Sequence, residues 1–573
     1  MQSKHPNFQY LCHLKKTQLN MTIDLFCRNT KQFLTVPYGA TLAEIIKQHN
    51  IEQEFPYLGG LVNNNIKALS YRVHKPCTVQ FFDIRSSYGI NMYTRSLYFV
   101  LYKAVRDLYP TVTLNILHSI SGGKYCELEN SDFSVNQSVV ENIQARMQEI
   151  IDADLPFIRK RILSEKAFSD LKLKQNGDTN ENEIFVDRNK FYTSIYHLDD
   201  TINYYYDHLL PSTGFLTIFR LEPYENGVLL KLPSPKDGKS IARTREMPKL
   251  FSVYKQFKSW GKKIGVPYIS DLNRVVANKG IGNLILTTEA LHEKIWANTA
   301  DEIQRLGKKM VLISGPSSSG KTTSCRRLSV QLSVLGYHPV QISVDDFFVE
   351  RAETPLDEKG HYDFEALEAI DLPLFNKTLV RLLQGEEVEI PRFNFSTGSK
   401  EWHGDTIQLQ ENSIMIIEGI HCLNPKLTQS IDDSMKYKIF VSALTSLSID
   451  KMNPIPTTDN RLIRRIIRDY NYRGYSARET IKRWASVRRG EERNIFPYQE
   501  EADMMFNTSL IYELGVLKPY ALPILMEVPE VAPEYAEAAR LLKFLSYFTP
   551  IPEEDIPGTS ILREFVGGSK FHY

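Results

Sequence analysis

The sequence has no C-x-x-C pair, and its six cysteines lie scattered as Cys12, Cys27, Cys77, Cys126, Cys325 and Cys422. Zinc ribbons and disulfide scaffolds need clustered thiols, so the spacing argues against both and fits a reducing cytoplasm. No apolar run is long enough to cross a bilayer, and the start mixes Lys4, His5, Lys15 and Lys16 with polar groups where a signal peptide would be apolar. A soluble, intracellular protein with no membrane partner is the expectation. Excess charge is missing too: Lys+Arg of 69 against Asp+Glu of 68 leaves no basic field to hold nucleic acid non-specifically. Any nucleic-acid contact would have to be local.

What is present is a chain of 573 residues with 42% hydrophobic content, long enough for about three or four domains. Its most informative stretch is Val311-Leu-Ile-Ser-Gly-Pro-Ser-Ser-Ser-Gly-Lys-Thr-Thr323, which fits G-x-x-x-x-G-K-[ST] at Gly315, Gly320, Lys321 and Thr322. In such a loop the glycines let backbone N–H groups turn inward around phosphate oxygens. The lysine reaches the terminal phosphates and the threonine hydroxyl ligates magnesium. The flanks agree: Met310 to Ile313 has strand character, and Cys325, Leu328, Leu332 and Leu335 form one helical face after the loop.

Two further strands end on carboxylates. Val340 to Val344 runs into Asp345-Asp346-Phe347-Phe348, and Ser413-Ile-Met-Ile-Ile-Glu-Gly419 places Glu418 at its end. In a doubly wound sheet such ends face the ligand crevice, so Asp345 is expected to accept a proton from a substrate hydroxyl and orient magnesium, with Glu418 linked to the metal. Aromatic and acidic groups around Tyr362, Asp363 and Phe393 suit a pocket for a flat, hydroxylated molecule, although such rings are as often core. Arg461, Arg464, Arg465 and Arg468 share one face of a helix, opposite Leu462, Ile463, Ile466 and Ile467, and Arg473 follows. Downstream of a phosphate loop they read as a lid whose guanidinium groups meet the transferred phosphates. A nucleic-acid stripe is the alternative.

Over 308–524 these pieces resemble the uridine kinase and phosphoribulokinase branch of P-loop kinases. The resemblance implies ATP and Mg2+ as cofactors. It makes Asp345 the catalytic base, Lys321 and Arg468 its partners in transfer, and Thr322, Asp345 and Glu418 the metal-linked groups. The phosphates would be held by Gly315, Pro316, Ser317, Ser318, Ser319, Gly320, Lys321, Thr322 and Thr323 of the loop, with Arg468 and Arg473. Tyr362, Asp363, Phe393 and Arg465 would hold the acceptor. Two positions depart from the pattern: Gly398 stands where a base-reading histidine is expected, and Tyr475 where a further lid arginine is expected.

The front of the chain reads as a small β-grasp domain. Ile23, Leu25 and Cys27 alternate, Phe33, Leu34 and Val36 follow a turn, Thr41-Leu-Ala-Glu44 is a capping box, and strands at Leu61-Val62 and Val79 to Phe82 complete it. Val36-Pro-Tyr-Gly-Ala-Thr41, Leu61-Val-Asn-Asn64 and Phe81-Phe-Asp-Ile84 resemble the TGS domain of threonyl-tRNA synthetases. Ala104-Val-Arg-Asp-Leu-Tyr-Pro110, Ala145-Arg-Met-Gln-Glu-Ile150 and Leu210-Pro-Ser-Thr-Gly214 resemble the synthetase editing domain. The editing residues do not carry over: Arg95, Phe99, Tyr205 and Leu209 stand in their places. The tandem resembles a bacterial group of TGS-containing nucleoside kinases.

The expectation is therefore an α/β multidomain protein. Its parts are an N-terminal tail (1–20), a TGS-like β-grasp domain (21–85) and an α+β editing-like domain with a degenerate site (86–232). A helical connector (233–306), a P-loop kinase domain with a doubly wound parallel sheet (307–525) and a C-terminal extension (526–573) follow. The expected reaction is ATP- and magnesium-dependent phosphorylation of a nucleoside 5′-hydroxyl. A sugar phosphate as acceptor, or a nucleotide-regulated protein that binds tRNA-like RNA through its front half, are the alternatives.

Overall fold

The computed structural model describes residues 21–174, 191–357 and 360–571; the expected N-terminal tail lies outside them. Alternation at the start produces the expected hairpin of β1 (Thr22–Cys27) and β2 (Gln32–Pro37), paired from Thr22↔Pro37 to Cys27↔Gln32. Thr41 then caps α1 (Leu42–Gln48) reciprocally: Glu44 N donates to Thr41 Oγ1 at 3.1 Å, and Thr41 N to Glu44 Oε2 at 2.7 Å. Asparagine tolerates a left-handed backbone, and Asn63 and Asn64 turn the chain with positive φ, +47° and +58°, between β3 (Gly59–Val62) and β4 (Asn65–Ala68). With β5 (Thr78–Phe82) the sheet order is β2-β1-β5-β3-β4.

A long helix, α2 (Ser87–Leu108), leads to β6 (Thr113–Ile120), β7 (Gly123–Glu129) and α3 (Gln137–Asp152). Next come β8 (Ile158–Leu163), α4 (Ser164–Lys174), β9 (Tyr192–Leu198), β10 (Thr201–Tyr204), β11 (Arg220–Tyr224) and β12 (Gly227–Lys231). They build one sheet in the order β11-β12-β7-β6 and another in the order β10-β9-β8. The polar stretch 172–183 has the composition of a surface loop, but α4 continues into it through Lys174, and from 175 onward it lies outside the described residues. The segments carrying Arg95 and Phe99, and Tyr205 and Leu209, do meet. Phe99 and Tyr205 rings pack at 5.4 Å, Leu209 is buried, and Arg95 pairs with Asp207 at 3.5 Å.

Three helices then run toward the C-terminal sheet: α5 (Pro248–Lys263), α6 (Ile269–Ala277) and α7 (Ile281–Arg305). On α5 the stripe that helical spacing gives Leu250, Val253, Tyr254 and Phe257 is buried. Helical spacing groups Leu291, Ile295, Thr299 and Ile303 on α7, and of these the structure buries Thr299 and Ile303. His292, Trp296, Thr299 and Ile303 point inward, while Leu291 and Ile295 are only half-buried. The cause is packing: Trp296, Ala300 and Ile303 share a core with Val311, Ile313 and Leu328.

Beyond that core the chain forms β13 (Met310–Ser314), α8 (Lys321–Val334), β14 (His338–Ser343) and α9 (Leu372–Leu383). Two short ribbons follow, β15 (Val388–Glu389) with β18 (Thr406–Ile407) and β16 (Arg392–Asn394) with β17 (Ser399–Glu401). Then come β19 (Ser413–Glu418), β20 (Lys436–Ser442), α10 (Thr457–Arg473), α11 (Ala477–Asn494) and β21 (Met504–Asn507). Five of these strands pair in parallel in the order β14-β19-β13-β20-β21. Strands buried on both faces read as continuous apolar runs, which is why β13 and β19 are legible in the sequence. The chain closes with α12 (Glu513–Met526), α13 (Tyr535–Leu545) and α14 (Arg563–Val566), packed against α10 in one hydrophobic core. Among the described residues no helix is long and apolar enough to cross a membrane.

Candidate active site

The phosphate loop joins the central strand β13 to α8, so the positive end of α8 faces whatever the loop cradles. Glycine is required at two places. A Cβ on Gly315 would stand 2.1 Å from the Val441 carbonyl oxygen, and Gly320 has φ +84° with Ile561 Cδ1 2.2 Å from its Cβ position. Thr508 Oγ1 donates to Ser319 O at 2.7 Å, which fixes the loop to the residue following β21. Lys321 is folded back on its own loop, its Nζ donating to Gly315 O at 3.1 Å.

The serines of the loop do not contribute alike. Ser318 takes φ +58°, a left-handed backbone that turns its side chain into the protein, where it is 3% exposed. Its hydroxyl is buried without a hydrogen-bond partner, and its carbonyl oxygen accepts from Arg464 Nη1 at 3.4 Å. The backbone N–H is thus the one group that Ser318 offers a phosphate. Ser319 is also buried and spends its N–H on Pro316 O at 3.2 Å, which closes the turn.

Parallel register brings the two strand-end carboxylates beside the loop: Glu418 is level with Ile313 of β13 and Ser343 of β14, and Asp345 follows β14 in a short turn. Glu418 Oε1 accepts from Thr322 Oγ1 at 3.4 Å. Burial raises the Glu418 carboxyl to about 7, against the pull of Lys321, and Asp345 and Glu564 push the same way as burial. Asp345 is also raised, by protein packed around it, while Lys321, Arg473 and Arg468 draw it down. Its carboxylate keeps an open face to water, which limits that rise. Thr322, Asp345 and Glu418 form a set of hard oxygen donors at a loop built for phosphates. Two of them are carboxylates that burial raises above their ordinary range, so the set fits a magnesium ion, whose charge would favour their ionised form.

Across the cleft, α10 is buried on nearly every side, and its arginines divide. Arg465 donates to Ser317 Oγ at 2.6 Å, and Arg465, Arg468 and Arg473 all pair with the buried Asp469, at 3.2, 3.1 and 3.4 Å. Arg461 and Arg464, expected on the same lid face, are fully buried and serve the scaffold. Arg461 pairs with Glu491 at 2.6 Å, and Arg464 binds Glu513, its Nε at 3.1 Å. The expected face was therefore too wide, because helical spacing cannot tell an arginine aimed at ligand from one neutralised by a carboxylate of another helix.

On the acceptor side Tyr362, Phe364 and Phe395 expose their rings, and Asp363 Oδ2 faces Arg493 Nη1 at 3.5 Å. Phe393 is buried, its ring 5.4 Å from Phe348 and 5.1 Å from Phe395, so it backs the exposed rings and does not itself open to the cleft. Gly398 has φ +78°, and the Arg351 side chain fills the space where a side chain would begin, its Nε 2.6 Å from the Cβ position. Arg351 Nη2 donates to Phe395 O at 2.6 Å. At the other departure, Arg483 lies 4.1 Å over the Tyr475 ring, so that position is occupied by a cation–aromatic pair.

Three carboxylates at the site escaped sequence reading. Glu491 accepts from the Ser317 N–H of the phosphate loop at 3.0 Å. Glu365, raised to about 7 chiefly by burial, faces Arg465, Glu491, Lys321 and Asp345. Glu564, from the C-terminal segment, accepts from Thr323 Oγ1 at 2.6 Å. Glu365 lies two residues from Asp363, close to a stretch that the sequence does single out. Glu491 sits in a charged run and Glu564 in the tail 557–566, and the sequence gives neither a chemical role.

A phosphate loop on the middle strand of a parallel sheet, carboxylates at the ends of its neighbours and arginines facing them define a P-loop kinase domain. Residues 310–511 match the Phosphoribulokinase / Uridine kinase family, which places a domain of that kind in the C-terminal region. Within the chain, 194 residues are 29% identical to uridine-cytidine kinase A of Dictyostelium discoideum, covering 34% of this chain and 34% of that protein. Uridine-cytidine kinase 2-B of Danio rerio is 27% identical over 209 residues, 34% of this chain and 71% of its own length. The uridine kinase of Ligilactobacillus salivarius (strain UCC118) is 28% identical over 175 residues, 30% of this chain and 73% of its own length. The chain thus spans about a third of the first of these relatives.

Proposed function

We propose that the chain is an ATP- and magnesium-dependent kinase that transfers a phosphoryl group to the 5′-hydroxyl of a nucleoside, giving a monophosphate. The observation that carries this reading is Asp345 at the end of β14, beside Lys321, Arg468 and Arg473. The acceptor hydroxyl oxygen attacks the γ-phosphorus of ATP, the bond from that phosphorus to the bridging oxygen breaks, ADP leaves, and the hydroxyl proton passes to Asp345. Lys321 leaves Gly315 O for the phosphates, and Arg465, Arg468 and Arg473, already held in place by Asp469, meet the charge that spreads over the transferred group. Thr322, Asp345 and Glu418 would hold magnesium, which when bound neutralises the β- and γ-phosphate oxygens. Tyr362, Asp363 and the exposed rings backed by Phe393 form the acceptor side.

An acceptor carrying an anion, such as a sugar phosphate, is the second reading, and the Arg351 guanidinium over Gly398 favours it. A panel of nucleosides, sugars and sugar phosphates, read by ATP-dependent phosphate transfer, separates the two; no transfer to any of them would sink both. Asp345→Asn is expected to abolish turnover and leave ATP binding intact, so an active variant would remove Asp345 from its role. We also read residues 21–85 as TGS-like and 86–232 as an editing-like module without its catalytic residues, a surface for RNA in a cytoplasmic protein. A tRNA gel shift that weakens with added salt tests that part.

A further inference from the structure

Residues of α2, β6 and α5 meet the segment 440–461 and α11 around a cavity of about 550 Å³ that no residue of the phosphate loop lines. That is within the range of small-molecule sites, about 300–1,000 Å³. Four residues on its wall carry a buried polar atom with no hydrogen-bond partner: Asn115 Oδ1, His118 Nε2, Thr445 Oγ1 and Arg461 Nε. Buried polar atoms are nearly always satisfied, so four around one cavity mark a place where something polar belongs.

The chemistry of the wall narrows what that is. Basic side chains on it outnumber acidic ones eight to three. Most are neutralised by carboxylates, as Arg540 is by Asp459 at 2.6 Å. Lys124 is not: its ammonium holds only the Ser119 hydroxyl, at 2.5 Å, with no carboxylate in ion-pair reach among the described residues. One wall is flat, for the His118 ring lies parallel to Tyr254 at 3.6 Å with 5° between the planes. Burial holds the His118 imidazole neutral, its pKa down at about 3, so the flat wall brings no charge of its own.

We propose that this cavity is a second ligand site, for a nucleoside monophosphate. Its phosphate lies against Lys124 and the free donors of Thr445 and Arg461, and its base along the flat wall and Asn115. The site has a direct line to the phosphate loop. Arg461 Nη2 binds Glu491 at 2.7 and 2.6 Å, and Glu491 Oε1 accepts from Ser317 N at 3.0 Å. A phosphate drawn to Arg461 competes with Glu491 for it and loosens the carboxylate that caps the loop. Binding itself is independent of the kinase reading; its effect on turnover rests on that reading.

The test uses the full-length chain carrying Lys321→Ala, which weakens the kinase site, and titrates AMP, GMP, CMP, UMP and inorganic phosphate by calorimetry. At least one monophosphate is expected to bind, and adding Lys124→Gln or, as a gentler change, Thr445→Val is expected to weaken it about tenfold or more, the loss of a charge-assisted or buried hydrogen bond. No binding by any of the four would overturn the proposal and leave the cavity to water. Binding of inorganic phosphate alone, or nucleotide binding indifferent to both Lys124→Gln and Thr445→Val, would overturn it as well. Absence of transfer in a turnover assay of the unsubstituted chain, beside intact nucleotide binding, would count against the kinase reading alone.

Discussion

Glu365 is the single residue with the sharpest pH signature. Its carboxyl stands at about 7 against an ordinary 4.5, with burial the largest cause. A raised pKa means the folded protein prefers the neutral form, so the stability this group contributes is complete below its unfolded value and is lost as pH rises through about 7. Glu365→Gln is neutral throughout. Its advantage over the wild type should therefore grow from about pH 5 to about pH 8, by about 1–3 kcal/mol, read as a difference in melting temperature of the C-terminal region. A gap that stays constant or narrows over that interval contradicts the assignment. Nothing in the sequence marks this ionisation, since the burial that raises it and the charges on α8, α10 and α11 that modulate it come together only in the fold. The glycines of the loop were legible for the opposite reason: their constraint is local, and Gly315 and Gly320 stand where the motif requires them. Ser318 lies between the two cases, because the motif places its backbone but leaves open which way its hydroxyl turns.

Among the elements, α10 tests the division of its arginines. Arg464 is fully buried against Glu513, itself 2% exposed at the side chain, so Arg464→Met strands a carboxylate in the core. The expected cost is about 3–5 kcal/mol, read as a fall in the denaturation midpoint of the C-terminal region. Arg468 lies one turn on, half-buried and turned toward the cleft. Arg468→Met should change stability by about 0.5 kcal/mol or less while removing phosphate transfer. Equal destabilisation by the two would contradict the division. The sequence showed that α10 is amphipathic, and Leu462, Ile463, Ile466 and Ile467 are indeed core. It could not show that the opposite face is buried too, because the carboxylates that make this tolerable, Glu491 and Glu513, sit about 30 and 49 positions further along the chain.

For the whole molecule, the front and back halves cannot be separated by cutting at the start of the kinase motif. Cutting before residue 307 removes Trp296, Ala300 and Ile303 from the core beneath β13, at about 1.5–3 kcal/mol for each large side chain. It also removes Glu289 and Glu293, the partners of the buried Arg327, and leaves the Tyr512 hydroxyl without Glu289. Restoring α7 repairs only part of this. Ile195, Ile202 and Tyr204 of the front half share one core with Ile463, Ile466 and Leu541, and Ile116 N donates to Lys451 O at 2.8 Å across the same boundary. A chain of 307–573 is therefore expected to be insoluble or to elute as an aggregate. A chain of 248–573 should be soluble at best with its stability lowered by several kcal/mol, and neither should match the full-length protein in ATP binding. Size-exclusion chromatography with nucleotide titration checks this, and a monodisperse 307–573 fragment that binds ATP as the full chain does would refute it. The role of the front half must then be probed by point substitutions on its surface, because truncation confounds lost regulation with a lost core.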